Sequence, residues 1–182
     1  MTDNTDTNIL NAFRDKNSRN YAFNLLVKKY QQSIYYHIRR IVIDHDDTDD
    51  LVQNTFIKIF QNLEGFREDA QLYTWIYRIA TNEALAFLKS KRNKFFLPFK
   101  DVEQQLTNSL KDTPFFNGDE IELKLQKAIL TLPEKQRLVF NMRYYEEMKY
   151  EEMSEILGTS VGALKASYHI AVKKIEELVI QN

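Results

Sequence analysis

Tyr150-Glu151-Glu152-Met153-Ser154-Glu155-Ile156-Leu157-Gly158-Thr159-Ser160-Val161-Gly162-Ala163-Leu164-Lys165 reads as two helices joined by a very short turn. The segment from Tyr150 to Leu157 has the length of about two helical turns. Gly158 can take the left-handed conformation that ends a helix without steric cost. Ser160 offers a hydroxyl to cap the next helix, which starts at Val161. A short helix, a glycine turn and a second helix spell a helix-turn-helix.

Such a unit reads DNA by laying its second helix in the major groove and presenting N-terminal side chains to base edges. Val161, Leu164, Tyr168, Val172 and Ile175 fall at three- and four-residue steps and form the inward stripe. Ser160, Gly162, Ala163, Lys165, Ala166, Ser167, His169 and Lys173 are left outside it. Small residues near the helix start allow close approach to a duplex. Lys165, Lys173 and Lys174 are cations suited to phosphates or guanine. No acid interrupts this helix before Glu176. The same spacing also suits a plain helical hairpin with a solvated basic face.

Towards the N-terminus, Thr131-Leu132-Pro133-Glu134 is a helix start signal. Thr131 is expected as the cap, Pro133 in the first turn and Glu134 closing a capping box. The helix it opens runs to about Tyr145, and another covers about Asp119 to Leu130. Residues 119–182 are thus expected to form a helical domain. Before them, residues 95–118 contain Pro98 and Pro114, with no sustained period, and read as a linker. Its apolar runs Phe95-Phe96-Leu97-Pro98-Phe99 and Phe115-Phe116 suit packing against a domain or a partner.

Residues 8–94 are expected to form a first helical domain. A short helix covers about Asn8 to Lys16. A long one follows from about Arg19 to Ile43, with Ser18 as cap and a stripe of Phe23, Leu26, Val27, Tyr30, Ile34, Ile38, Ile41 and Val42. Asp44-His45-Asp46-Asp47 breaks that period, and Asp47 can cap a third helix by accepting its orphan N–H groups. The third helix runs to about Leu63, with Val52, Thr55, Phe56, Ile59, Phe60 and Leu63 inward. Asp50, Gln53, Asn54, Ile57 and Lys58 lie off that stripe. Gly65 to Gln71 reads as a loop. A fourth helix runs from about Leu72 past Lys91, with Leu72, Trp75, Ile76, Ile79 and Ala80 inward. It ends in the cations Lys89, Lys91, Arg92 and Lys94, one turn and more beyond Asn82, and shares its length with Tyr73, Trp75, Tyr77 and Phe87. Cations interleaved with rings suit single-stranded nucleic acid. Lysines at a helix C-terminus also simply complement the helix dipole.

Composition narrows the function. In 182 residues there are only 4 Gly and 3 Pro, too few for the hairpins of a β-sandwich, so an all-α fold of two small helical domains is expected. A net charge of −1 means that any polyanion site must come from local clustering. The absence of cysteine excludes disulfides, thiol catalysis and Cys-based zinc sites, and fits a reducing cytoplasm. No signal-peptide pattern and no apolar run of membrane-spanning length occurs, so a cytoplasmic chain without membrane insertion is expected. The acidic run from Asp44 lacks the Gly and Glu that a calcium loop needs at its sixth and twelfth positions, where Asp49 and Thr55 stand. His37 and His169 belong to no ligand motif. Neither metal, cofactor nor catalytic residue is expected.

Four segments carry a resemblance. Asp49-Asp50-Leu51-Val52-Gln53-Asn54-Thr55-Phe56 resembles the DLVQ-type segment in region 2 of bacterial sigma factors. Thr74-Trp75-Ile76-Tyr77-Arg78-Ile79-Ala80-Thr81-Asn82 resembles the segment that follows it there. Leu132-Pro133-Glu134-Lys135-Gln136-Arg137 is similar to the opening of region 4, and Tyr150 to Lys174 to its helix-turn-helix. Their order and the chain length resemble the extracytoplasmic-function subgroup. The resemblance implies a non-enzymatic factor whose partners are core RNA polymerase, promoter DNA and, in many members, an anti-sigma factor. It implies that Asp50, Gln53, Asn54 and Ile57 meet the polymerase. It assigns the unpaired −10 strand to the Gly65–Gln71 loop, Asn82, Lys89, Lys91 and Arg92. It assigns the −35 duplex to Ser160, Lys165, Ser167, His169 and Lys173. Asn54 stands where many members carry Glu, Leu85 where they carry Asp, and Lys89 where they carry Arg. Tyr168 and Ile170 also replace common arginines, so fewer bidentate contacts are available.

Two other readings compete. A stand-alone helix-turn-helix regulator would bind its duplex unaided. A sigma-like protein adapted to bind only proteins would have no use for the basic helix ends.

Overall fold

A computed structural model describes residues 5–95 and 120–180. Among these residues there are eight α-helices and no strand. The apolar residues of Phe96 to Phe116 lie outside the described residues. The chain divides into two compact units, Met1–Leu85 and Ala86–Asn182.

The first unit begins with α1 (Asp6–Arg14), α2 (Arg19–Val42), α3 (His45–Asn62) and a 3-10 turn at Leu63–Gly65. Helix α4 (Leu72–Phe95) starts after a short loop and runs on past Leu85, where the first unit ends. Ile9, Leu10 and Phe13 of α1 are buried, as are Leu26, Ile34 and Ile38 of α2 and Ile59 of α3. At one end of this core four rings meet edge to face. Phe23 lies 4.9 Å from Phe60 and 6.5 Å from Phe56, and Phe13 lies 5.7 Å from Phe60. Such tilted pairs favour the ring quadrupoles as well as burying area.

Polar groups inside the unit are satisfied across long sequence distances. The Tyr30 hydroxyl donates to the Asp6 carboxylate at 2.8 Å. Burial first, and then that carboxylate, push the Tyr30 phenol well above its ordinary value. Buried His37 packs its ring 4.9 Å from Tyr77. The Thr81 hydroxyl donates to the Tyr77 carbonyl at 2.7 Å and lies 2.8 Å from His37 Nε2. With its one proton committed to Tyr77, Thr81 must accept there, so His37 carries its hydrogen on Nε2.

Four local expectations are corrected in this unit. Asp44, not Asp47, caps α3: its carboxylate accepts from the Asp47 N–H at 3.0 Å. The long run of acids left the choice open, and the backbone break falls at Ile43, whose φ is 71°. Ser18 stands at the N-cap of α2, but its hydroxyl donates to the Ala12 carbonyl instead of capping. Trp75 is only half-buried, whereas Thr74, Tyr77, Thr81 and Ala84 join Ile76 and Ala80 on the buried face of α4. Likewise Leu51 is buried and Val52 half-buried.

The second unit holds α5 (Glu120–Leu130), α6 (Glu134–Tyr144), α7 (Tyr150–Leu157) and α8 (Val161–Ile180). Ala128, Ile129, Leu132, Phe140, Ala171 and Ile175 form one core, edged by Leu125, Tyr145, Tyr168 and Val172. Thr131 does not cap α6. Its hydroxyl donates to the Ala128 carbonyl at 2.7 Å and so closes α5, while Pro133 occupies the cap position of α6. Proline lacks an N–H and has a fixed φ, which sets the break one residue before Glu134. One half of such a box is found elsewhere: the Lys149 N–H donates to Glu152 Oε2 at 2.8 Å and starts α7. The preceding turn is tied down by Arg143, which donates to the carbonyls of Glu147 and Met148 at 3.3 and 2.9 Å.

Candidate functional site

Three surfaces gather the residues singled out above. The first is the outer face of α3. Thr48, Leu51, Thr55, Phe56 and Ile59 point into the core. This leaves Asp50, Gln53, Asn54 and Ile57 exposed together on the opposite face, at helical steps of three and four. Ile57 is 54% exposed, an apolar patch set among polar groups. Lys58, beside it, pairs with Glu83 of α4.

The second is the loop after the 3-10 turn with the part of α4 up to Leu85; Lys89, Lys91 and Arg92 follow on the same helix, within the second unit. Phe66 is buried, its ring 5.1 Å from that of Trp75. Arg67, Glu68, Asp69 and Gln71 are exposed, and Glu68 has a φ of 59°. On α4, Asn82 and Lys89 are exposed, and the Lys91 ammonium lies 5.6 Å above the Phe87 ring. Arg92 continues the same helix. Tyr73 and Tyr77 contact each other at 4.4 Å, and Tyr77 is buried. Of the aromatic residues on this helix, Tyr77 therefore belongs to the core, whereas Trp75 keeps part of its ring at the surface.

The third surface is the helix-turn-helix. Gly158 has a φ of 62°, and its N–H closes α7 onto the Ser154 carbonyl. The Ser160 hydroxyl accepts from the Ala163 N–H at 3.3 Å, capping α8. Leu164, Ala171 and Ile175 face inward. Ser160, Gly162, Ala163, Lys165, Ala166, His169 and Lys173 are exposed, and Ser167 is half-buried. The exposed edge of α8 thus starts with small side chains and continues with cations. A protein helix with these features can approach the floor of a groove.

Tyr150, and Arg143 of α6 beside it, carry no signal in the hydrophobic period. The Tyr150 ring, at the start of α7, has the Arg143 guanidinium 5.3 Å and the Lys165 ammonium 5.6 Å from its centre. Tyr150 also meets Tyr168 at 6.5 Å, and Tyr168 stacks on Phe140 at 5.8 Å. A ring within reach of two cations restrains both without neutralising either. The Tyr168 phenol is pushed up by burial and then by Tyr150, against the opposing pull of Arg143. Each contact spans a turn or crosses between helices, which is why no local pattern announced it.

Comparison with known proteins agrees with this geometry. Residues 26–94 match the family Sigma-70 region 2, and residues 122–175 match Sigma-70, region 4. The RNA polymerase sigma-H factor of Pseudomonas aeruginosa is 33% identical over 172 residues, covering 86% of this chain and 85% of the relative. The ECF RNA polymerase sigma-E factor of Haemophilus influenzae is 30% identical over 166 residues, covering 87% of each. In fold, the chain resembles CnrH in its complex with the cytosolic domain of CnrY, with a TM-score of 0.69, 23% identity and 99% of both chains covered. It also resembles the sigma factor RpoE bound to the anti-sigma factor NepR from Bartonella quintana. That likeness has a TM-score of 0.68 and 19% identity, covering 86% of this chain and 96% of the other.

The chain belongs to the sigma-70 family of RNA polymerase sigma factors, in the extracytoplasmic-function subgroup. Its function is promoter-directed transcription initiation, with core RNA polymerase and promoter DNA as partners. The stand-alone regulator is thereby set aside. Sigma factors act as regulators without an enzymatic step of their own. Among the described residues, no helix is long and apolar enough to cross a membrane.

Proposed function

We propose that promoter recognition is divided among the three surfaces. Asp50, Gln53, Asn54 and Ile57 dock on core polymerase. The Gly65–Gln71 loop, Asn82, Lys89, Lys91 and Arg92 hold the unpaired −10 strand. Ser160, Lys165, Ser167, His169 and Lys173 read the −35 duplex, with Tyr150 and Arg143 restraining the approach of Lys165. In this reading residues 8–94 are the region 2 domain, 95–118 the linker and 119–182 the region 4 domain. The factor works in the cytoplasm, performs no catalysis and is held in check by an anti-sigma factor.

The observation that carries the reading is the handover at Gly158. A left-handed glycine delivers the chain directly into a capped helix whose exposed start is small and then cationic. Affinity for phosphates and access to bases both follow from that order of residues. Docking of the α3 face gains support from its mixture of polar side chains around one exposed isoleucine, since an apolar anchor ringed by polar groups suits a protein partner.

Reconstitution with core polymerase, followed by mapping of transcript start sites, tests the whole reading. Start sites sharing two spaced elements are expected. Lys165→Glu with Lys173→Glu is expected to abolish dependence on the upstream element while leaving polymerase binding intact. Transcription unchanged by that double reversal would remove region 4 from the scheme. Failure of the chain to co-elute with core polymerase would remove the scheme itself.

A further inference from the structure

We propose that α1 and the first turn of α2 brace the Gly65–Gln71 loop, with Arg14 and Arg19 as positioning residues for capture of the −10 strand. The proposal rests on the assignment of that loop given above. Arg14, at the end of α1, pairs with the carboxylate of Glu68, 54 residues further along the chain. Glu68 is the loop residue in the left-handed region, with a φ of 59°, a conformation that a glutamate rarely takes unaided. At the loop's entry, Arg19 Nη1 donates to Glu64 Oε2 at 3.0 Å.

Arg19 is itself fixed. Its guanidinium lies 4.6 Å above Phe13 of α1 and 5.2 Å above Phe60 of α3, and its side chain is 29% exposed. The cation is thus held by rings from two helices that meet in the core. Between the two ion pairs, Phe66 is buried against Trp75. The segment is therefore pinned at 64, 66 and 68, while Arg67, Asp69 and Gln71 stay exposed. Arg14 and Arg19 both precede residue 26, where the match to Sigma-70 region 2 begins.

The chemistry gives the brace a purpose. The stretch from the 3-10 turn through the loop, which must approach a polyanion, carries carboxylates at Glu64, Glu68 and Asp69, which repel phosphates. Each arginine neutralises one of them. Exposed ion pairs add little to stability and are screened by salt. Their effect here is on the position and charge of the loop.

The test uses reconstituted holoenzyme and a promoter taken from the start-site mapping. Opening is followed by 2-aminopurine fluorescence within the −10 element, on the native element and on one with a substituted base. Arg14→Glu is expected to lower discrimination between the two about two- to five-fold, the scale of one exposed pair. Thermal melting and affinity for core polymerase are expected to stay unchanged. The exchange Arg14→Glu with Glu68→Arg is expected to restore discrimination, which a direct contact of Arg14 with DNA would not do, while the unchanged melt of Arg14→Glu separates the brace from a merely structural role. Unchanged discrimination in Arg14→Glu, or no restoration in the folded exchange variant, overturns the brace. Arg67→Ala and Gln71→Ala separate the two levels. If they lower discrimination and Arg14→Glu does not, only the brace falls; if they have no effect, the loop assignment falls with it.

Discussion

The helix-turn-helix of the second unit and the helices of the first are fixed by contacts of different reach along the chain. In the helix-turn-helix, the decisive contacts are local. Gly158 closes onto Ser154, Ser160 caps Ala163 and Lys149 donates to Glu152. In the first unit the contacts that matter span 24 residues for Asp6 and Tyr30, 44 for His37 and Thr81, and 54 for Arg14 and Glu68. The contrast teaches that a helix-turn-helix can be built from short-range rules, whereas the first unit needs distant segments to agree. It also predicts that local changes will damage the second unit alone, and that the first will respond to changes far from its binding faces.

The largest effect is expected at Phe140, buried to 3% and stacked on both Tyr144 and Tyr168. Phe140→Ala should cost about 3–5 kcal/mol and unfold the second unit. Polymerase binding through the first should persist. Simultaneous loss of both in a thermal melt would break the picture of independent units.

Next comes Tyr30, on the other side of the comparison. Tyr30→Phe removes a hydrogen bond to a carboxylate and should cost about 1.5–3 kcal/mol. The raised Tyr30 phenol means that the folded state favours the neutral form. Its contribution is complete below the ordinary tyrosine value of about 10 and is lost as pH rises further. Denaturant melts from pH 8 to 11 should therefore show a steeper alkaline loss in the parent than in Tyr30→Phe; parallel curves would contradict this.

Gly158→Ala should follow, at about 1–2 kcal/mol. A Cβ there meets nothing within 4 Å, so the cost is purely one of backbone conformation. Affinity for the upstream duplex should fall with it, and −10 opening on a promoter bound without the upstream element should not change.

The smallest effect on stability sharpens the comparison most. Gln53→Ala with Asn54→Ala lies on the exposed face of α3 and should leave the melt within about 0.5 kcal/mol of the parent. Core polymerase binding, followed by fluorescence anisotropy, should weaken. Unfolding of the pair would mean that the helix faces the other way.

Much of the fold was legible because helices announce themselves locally. The span Tyr150–Leu157, the glycine turn, the Ser160 cap and the start of α4 at Leu72 all follow from neighbouring residues. The exposed set on α3 was legible for the same reason: the period of its apolar residues fixes which side faces outward. Caps were less secure. Asp44 and Asp47 are chemically alike, and only the backbone break at Ile43 chooses between them. Thr131 was misassigned because a hydroxyl can serve the helix before it as easily as the one after.

By itself, then, the amino-acid order determined the all-helical architecture, the recognition helix and its outward cations, since these depend on side chains within a few residues of each other. Only the tertiary structure decided which rings leave the core, that the Tyr150 ring lies within reach of Arg143 and Lys165, and that Arg14 reaches Glu68. Periodicity records how one helix divides inside from outside. It holds no information about which distant side chains will meet once those insides are packed together.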